Sequence, residues 1–127
     1  MTGVLIVEDE FLVALYLEDI IAQAGHDIIG VVADRRGIDA IDRPPAVALV
    51  DLNLRDGPTG PEIARRLAER YGTAIIFVTA TPDQIDRPPV TALGYIRKPF
   101  VPEDVIAAVS LAAGAHSAPR PLGLHTL

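Results

Sequence analysis

The chain has 127 residues, half of them hydrophobic, a formal net charge of −6 and no cysteine; that length and apolar content suit one domain around a single core, and without cysteine any metal must be held by oxygen or histidine. The acidic balance, with 11 Lys and Arg in no dense run, argues against direct contact with nucleic acid. No apolar run approaches the roughly 20 residues of a membrane span, and the start lacks the basic and long apolar segments of a secretory signal, so no membrane contact and a cytoplasmic location are expected.

Val4-Leu5-Ile6-Val7 is an unbroken run of mostly branched apolar residues, the pattern of a strand covered on both faces, and it ends on Glu8-Asp9. From Phe11 onward the spacing of Val13, Leu17, Ile20, Ile21 and Ala24 predicts a helix that Gly25 stops. Ile28 to Val32 reads as a second strand, followed by a short, weak helix between Asp34 and Ile41 that contains Gly37. After Pro44-Pro45, Val47-Ala48-Leu49-Val50 repeats the first pattern and finishes on Asp51. Asp56 to Gly60 makes a turn, and Pro61 opens a helix carrying Ile63, Ala64, Leu67 and Ala68 as far as Tyr71-Gly72.

Ala74 to Val78 is a fourth strand closing on Thr79. A helix beginning near Thr81-Pro82-Asp83 must be stunted by Pro88-Pro89. Leu93 to Ile96 is a fifth strand, Lys98-Pro99 a turn, and Pro102 to about Ala113 a last helix with Val105, Ile106 and Val109 inward. Strands alternating with helices predict an α/β fold, a five-stranded parallel sheet flanked by helices on both faces, occupying residues 1–113. Residues 114–127 show no periodicity and read as a flexible tail.

In such a sheet, ligands bind beyond the carboxyl ends of the strands. Those ends deliver Glu8, Asp9, Asp51, Thr79 and Lys98 to one edge. Two carboxylates about 4 Å apart repel by roughly 4 kcal/mol at the effective dielectric of a protein site, so the acids call for a cation. An oxygen-only acidic pocket suits magnesium, which takes few protein oxygens and shares its shell with phosphate and water. Asp51 is then a candidate nucleophile toward phosphorus, with Lys98 and Thr79 as the donors that hold the developing charge. Glu10 reads as a solvated helix start, and His26, His116 and His125 lack metal-ligand spacing and receive no role.

These residues fall in the order found in the receiver domain of two-component response regulators, which the chain resembles from residue 3 to about residue 113 through Glu8-Asp9, Asp51, Thr79 and Lys98-Pro99-Phe100. The resemblance implies a doubly wound, flavodoxin-like (βα)5 fold of the single-domain type. It also implies that Asp51 accepts a phosphoryl group from a sensor histidine kinase or phosphotransfer protein, through the face around the first helix and fifth strand. Glu8, Asp9, Asp51 and the Asn53 backbone carbonyl would form a magnesium site, and the bond between Lys98 and Pro99 would be cis. Tyr95 matches the switch aromatic that turns inward as Thr79 moves, and Asn53 and Thr81 flank the site where they would influence self-dephosphorylation. Pro82, Pro88 and Pro89 depart from the family's fourth helix, so a short or irregular segment is expected, similar to single-domain receivers in which it is mobile.

On this reading no effector domain follows the last helix, so direct regulation of a promoter is not expected; a downstream protein target is a further expected partner, with the chain as a monomer or a phosphorylation-dependent dimer. The expected role is a switch with at most slow self-dephosphorylation, not a turnover enzyme. Two alternatives share parts of the pattern. A magnesium phosphohydrolase with an aspartyl-phosphate intermediate commonly places a second Asp two residues after the nucleophile, where this chain has Asn53. A phosphorylation-independent adaptor would not need the intact acid, threonine and lysine set.

Overall fold

The apolar runs at residues 4–7, 47–50 and 75–78 form strands buried on both faces, and those at 28–32 and 93–96 form outer strands that are only partly covered. In the computed structural model, which describes residues 2–114 and 119–127, β1 (Gly3–Val7), β2 (Asp27–Val32), β3 (Val47–Val50), β4 (Ala74–Thr79) and β5 (Ala92–Arg97) are parallel, in the order β2-β1-β3-β4-β5. This is the flavodoxin-like doubly wound order, whose direction reverses between β1 and β3. Side chains alternate across the sheet: Val4, Ile6, Val47, Leu49, Ile76 and Val78 face one core, and Leu5, Val7, Ala48, Val50, Ile75 and Phe77 the other.

The first core is closed by α1 (Phe11–Gln23) and α3 (Pro102–Ala112). Ala14, Leu17, Ile20 and Ile21 are the buried residues of α1; Val13 is half-buried, and Ala24, expected on the inner stripe, is the exposed cap beyond the last turn. In α3, Val105, Ala108 and Val109 are buried and Ile106 is half-buried. The second core is closed by α2 (Gly60–Tyr71), which has Pro61 in its first turn and ends on Gly72 at φ 68°.

Beside α2 the cover thins. Residues Arg35–Ala40 form a 3₁₀ turn capped by the Asp34 side chain, which accepts from the Gly37 N–H at 3.0 Å. Gly37 is required there by packing, since a Cβ would press within 2.7 Å of the Val32 Cβ. Between β4 and β5 the fourth helix is reduced to a 3₁₀ turn at Pro82–Gln84, the short and irregular segment that the prolines predict. Arg65 of α2 pins the residues just beyond that turn by donating to the carbonyls of Asp86 at 2.8 Å and Arg87 at 3.4 Å.

Within residues 114–127, expected to form a flexible tail, the structure adds one short paired element; His116, which received no role, lies outside the described residues. Leu124–His125 form a two-residue β6 antiparallel to β5, and Leu124 is buried in the first core. Periodicity cannot reveal so short a strand; its stability comes from pairing with an open sheet edge.

Candidate functional site

The strand register sets the site before any side chain does. Val7 lies level with Val32 and Val50, and the ladder continues one step further, with the Glu8 N–H donating to Val32 O and the Asp51 N–H to Val7 O, both at 2.9 Å. Glu8 and Asp51 are therefore held at the reversal point of the sheet. On the other side, the Lys98 N–H donates to Thr79 O at 2.9 Å. Gly60 lets the start of α2 close on this edge: its N–H donates to Leu52 O at 3.0 Å, and a Cβ there would overlap the carbonyl of Asp51. The sequence reading placed Gly60 in a turn and missed this close approach; glycine just before a helix, beyond a strand-end acid, is the available signal.

The Lys98 ammonium donates to Glu8 Oε1 at 2.6 Å and to Asp51 Oδ2 at 2.9 Å. The other Asp51 oxygen accepts the Leu52 N–H at 2.7 Å, and the other Glu8 oxygen accepts the Glu10 N–H at 3.1 Å. Glu8 and Asp51 are 3% and 8% exposed, so the ammonium offsets charge that water reaches only slightly. Burial pushes the Glu8 carboxyl above its ordinary range, against the hydrogen bonds and charge of Lys98, while the Asp51 charge adds to the rise. Burial alone would lower the Lys98 ammonium, but hydrogen bonds and charge from Glu8 and Asp51 outweigh it and hold it above its ordinary value.

Asp9 is exposed, yet Glu8, Asp9 and Asp51 each bring an oxygen within 4.8 Å of the others. This donor set fits a hard divalent cation: all oxygen, one carboxylate open to solvent, and only one lysine for three acids. Asp9, Asp51, Asn53, Thr81 and Lys98 line a cleft of about 270 Å³ over the site.

Thr79 is fully buried and its hydroxyl is turned to the β4–β5 connection, where it accepts the Thr81 N–H at 2.9 Å and lies 3.3 Å from the Thr81 hydroxyl. The Asn53 amide donates to the same Thr81 hydroxyl at 3.2 Å. Thr79 thus reaches the cleft wall through Thr81, whereas Lys98 touches Asp51 directly. The Lys98–Pro99 peptide bond is cis. Tyr95 is half-buried on the thinly covered face of β5, stacked on His125 with ring centroids 5.0 Å apart.

An apolar groove of about 590 Å³ opens beside Lys98, lined by Leu12, Val13, Tyr16, Ala80, Pro99 and Phe100. Phe11 and Leu12 are 75% and 76% exposed, and Tyr16 stacks on Phe100 at 5.6 Å. The groove was not legible as such because the helical stripe marks only the inward residues of α1; the apolar residues left over on its outer face were the signal.

The sequence model of the response regulator receiver domain matches residues 4–110. The phyllosphere-induced regulator PhyR of Methylorubrum extorquens AM1 is 36% identical over 117 residues, a match covering 87% of this chain and 43% of the relative. The receiver domain of the Erythrobacter litoralis PhyR response regulator superposes with a TM-score of 0.78 at 33% identity, over 95% of this chain and 96% of that one. PhyR of Bartonella quintana, described as an anti-anti-sigma factor, superposes with a TM-score of 0.74 at 30% identity, over 87% of this chain and 46% of that one. The chain therefore spans less than half the length of the curated relative it matches. Among the described residues no helix is long and apolar enough to cross a membrane.

Proposed function

The chain belongs to the response regulator receiver domain family of two-component signalling, and on that premise we propose that it is a switch in which Asp51 accepts a phosphoryl group and changes the chain's affinity for a protein partner. The observation that carries this reading is the Lys98 ammonium bridging Glu8 and Asp51, with an Asp9 oxygen close by. A buried carboxylate already paired with a cation is placed to attack phosphorus without first losing a shell of water.

One oxygen of the Asp51 carboxylate forms the new bond to phosphorus as the bond from phosphorus to the donor nitrogen breaks, and that nitrogen keeps the electron pair. Lys98 is 2.9 Å from the carboxylate before transfer and can follow the charge onto the phosphoryl oxygens after it. Thr79 would turn its hydroxyl from Thr81 to the phosphoryl group, and Tyr95 would move inward with it. Asp9 and Asp51, with Glu8 and the Asn53 backbone carbonyl, would hold magnesium. The ion would supply positive charge beside the phosphoryl oxygens.

The donor is a phosphohistidine on a kinase or phosphotransfer protein. The apolar groove beside Lys98 supports a protein donor, because its exposed Leu12, its Tyr16 and Phe100 offer area that a small phosphate ester would not use. The anti-anti-sigma description of the Bartonella relative supports a protein as the downstream target. The role is that of a phosphoacceptor, with slow self-dephosphorylation past Asn53 and Thr81.

Incubation with a small acyl or amide phosphodonor and magnesium, followed by intact-mass measurement and peptide mapping, tests the reading. One labile phosphoryl adduct on Asp51, absent from Asp51→Asn, is expected. No adduct, or an adduct mapped elsewhere, would remove the proposal.

A further inference from the structure

The open edge of β5 is occupied by the chain's own C-terminal residues, and the fit is built rather than incidental. Tyr95 pairs with His125 and Ile96 with Leu124. The Arg120 guanidinium clamps both strands, donating to Leu93 O at 2.8 Å and to Leu124 O at 3.3 Å. Two glycines make room: a Cβ on Gly94, which has φ 152°, would overlap the His125 carbonyl, and one on Gly123 would overlap the Asp104 carboxylate of α3. Leu124 is 4% exposed, whereas Leu122 is 97% exposed, so one side chain anchors the segment.

The segment also touches the strand that carries the site. β5 leads directly to Lys98, and the exposed His125 ring stacks on Tyr95 at an interplanar angle of 29°. Tyr95 therefore cannot turn inward and keep this stack. We propose that residues 120–125 are a displaceable cover strand, latched on Tyr95 through His125, which loading of Asp51 releases to open the β5 edge for a partner's extended segment. The proposal rests on the reading of Tyr95 as the aromatic that moves. Release gives up two residue pairs, one guanidinium, one stack and the burial of a single side chain, Leu124, a contact small enough to yield. An uncovered strand edge is a ready template for another chain.

Coupling of this kind is reciprocal, so a latch that loading releases must itself oppose loading by the same factor. The full chain is titrated with beryllofluoride and magnesium, a mimic of the phosphoryl group, with loading read by fluorine NMR and the tail read by hydrogen exchange. Amides of residues 123–125 should exchange about fivefold faster or more in the loaded state. His125→Ala should bind the mimic about fivefold more tightly, His125→Phe should return to the wild-type value because it keeps a ring, and Leu122→Ala should match wild type.

Equal affinity in His125→Ala and wild type, or unchanged tail exchange in a loaded protein, would overturn the latch and leave phosphoryl acceptance standing. If no variant loads, the switch reading itself fails and the latch fails with it.

Discussion

The two faces of the sheet are finished differently. Behind one, α1 and α3 bury Leu17, Ile21, Val105 and Val109 against β1, β3 and β4 in regular turns. Behind the other, α2 is the only regular helix among the described residues, and the rest is 3₁₀ turns at residues 35–40 and 82–84 with Ile85 half-buried beyond them. The regular face sets the start of α1, and with it Glu8, Asp9 and Glu10. The thin face holds Tyr95 and adjoins the turn bonded to Thr79. If Tyr95 and Thr79 move as proposed, the part that moves lies against the thinner layer and the acids are set by the regular one. An irregular segment with few buried side chains repositions at lower cost than a packed helix.

The largest expected effect breaks the fixed layer. Leu17→Ala leaves a cavity beneath α1 and should cost about 3 kcal/mol in urea unfolding; a loss under about 1 kcal/mol would mean that the layer relaxes and the contrast is false.

Next comes the seam between the layers. Lys98→Met leaves the Glu8 and Asp51 carboxylates facing each other without their cation. Breaking such a buried pair costs about 3–5 kcal/mol, and partial solvent access reduces the expected loss to about 2 kcal/mol. The sign with pH follows from the directions of the shifts. Lys98 is held above its ordinary 10.5, so its stabilisation is present below that value and is lost as pH rises through the folded-state value. Wild type should therefore lose an alkaline component of stability that Lys98→Met lacks. Glu8 is raised above 4.5 by burial, so its contribution is likewise present at low pH and lost as pH rises through its folded value. Lys98→Met should thus recover part of its deficit on mild acidification.

The fixed layer and the strand ends were legible because their signals are local. Continuous runs such as Val47 to Val50 mark doubly covered strands, and Glu8, Asp51, Thr79 and Lys98 follow directly from where those runs stop. The stunted fourth helix was legible from Pro82, Pro88 and Pro89. The features that escaped depend on distant pairings. That Glu8 shares Lys98 with Asp51 and that Leu124 and His125 close the β5 edge are facts about tertiary contacts, which no local pattern encodes, and the close approach at Gly60 leaves only the weak local mark of a glycine beyond a strand-end acid.

Magnesium sharpens the comparison from the site itself. An ion that binds only the folded acids stabilises by RT ln(1 + [L]/Kd), about 1.4 kcal/mol at roughly ten times Kd. Thermal unfolding should show that shift in wild type, and Asp9→Asn, which removes the solvent-facing carboxylate, should lose most of it. An equal shift in both proteins would place the ion elsewhere.

The smallest effect is the most discriminating for the thin layer. Ile85 packs against the second core from an irregular segment that Arg65 holds through two backbone carbonyls. Ile85→Ala removes half-buried methyl groups at a surface that water can fill, so the expected loss is under about 1 kcal/mol, well below that of Leu17→Ala. Local opening should respond more than global stability. Hydrogen exchange at Gln84 and Ile85, whose N–H groups donate to Thr81 O and Pro82 O, should quicken while amides of β3 stay protected. Should Ile85→Ala instead lower global stability as much as Leu17→Ala, the two layers would be equally integral. Movement of Thr79 and Tyr95 would then have to be accommodated by the sheet rather than by its thinner cover.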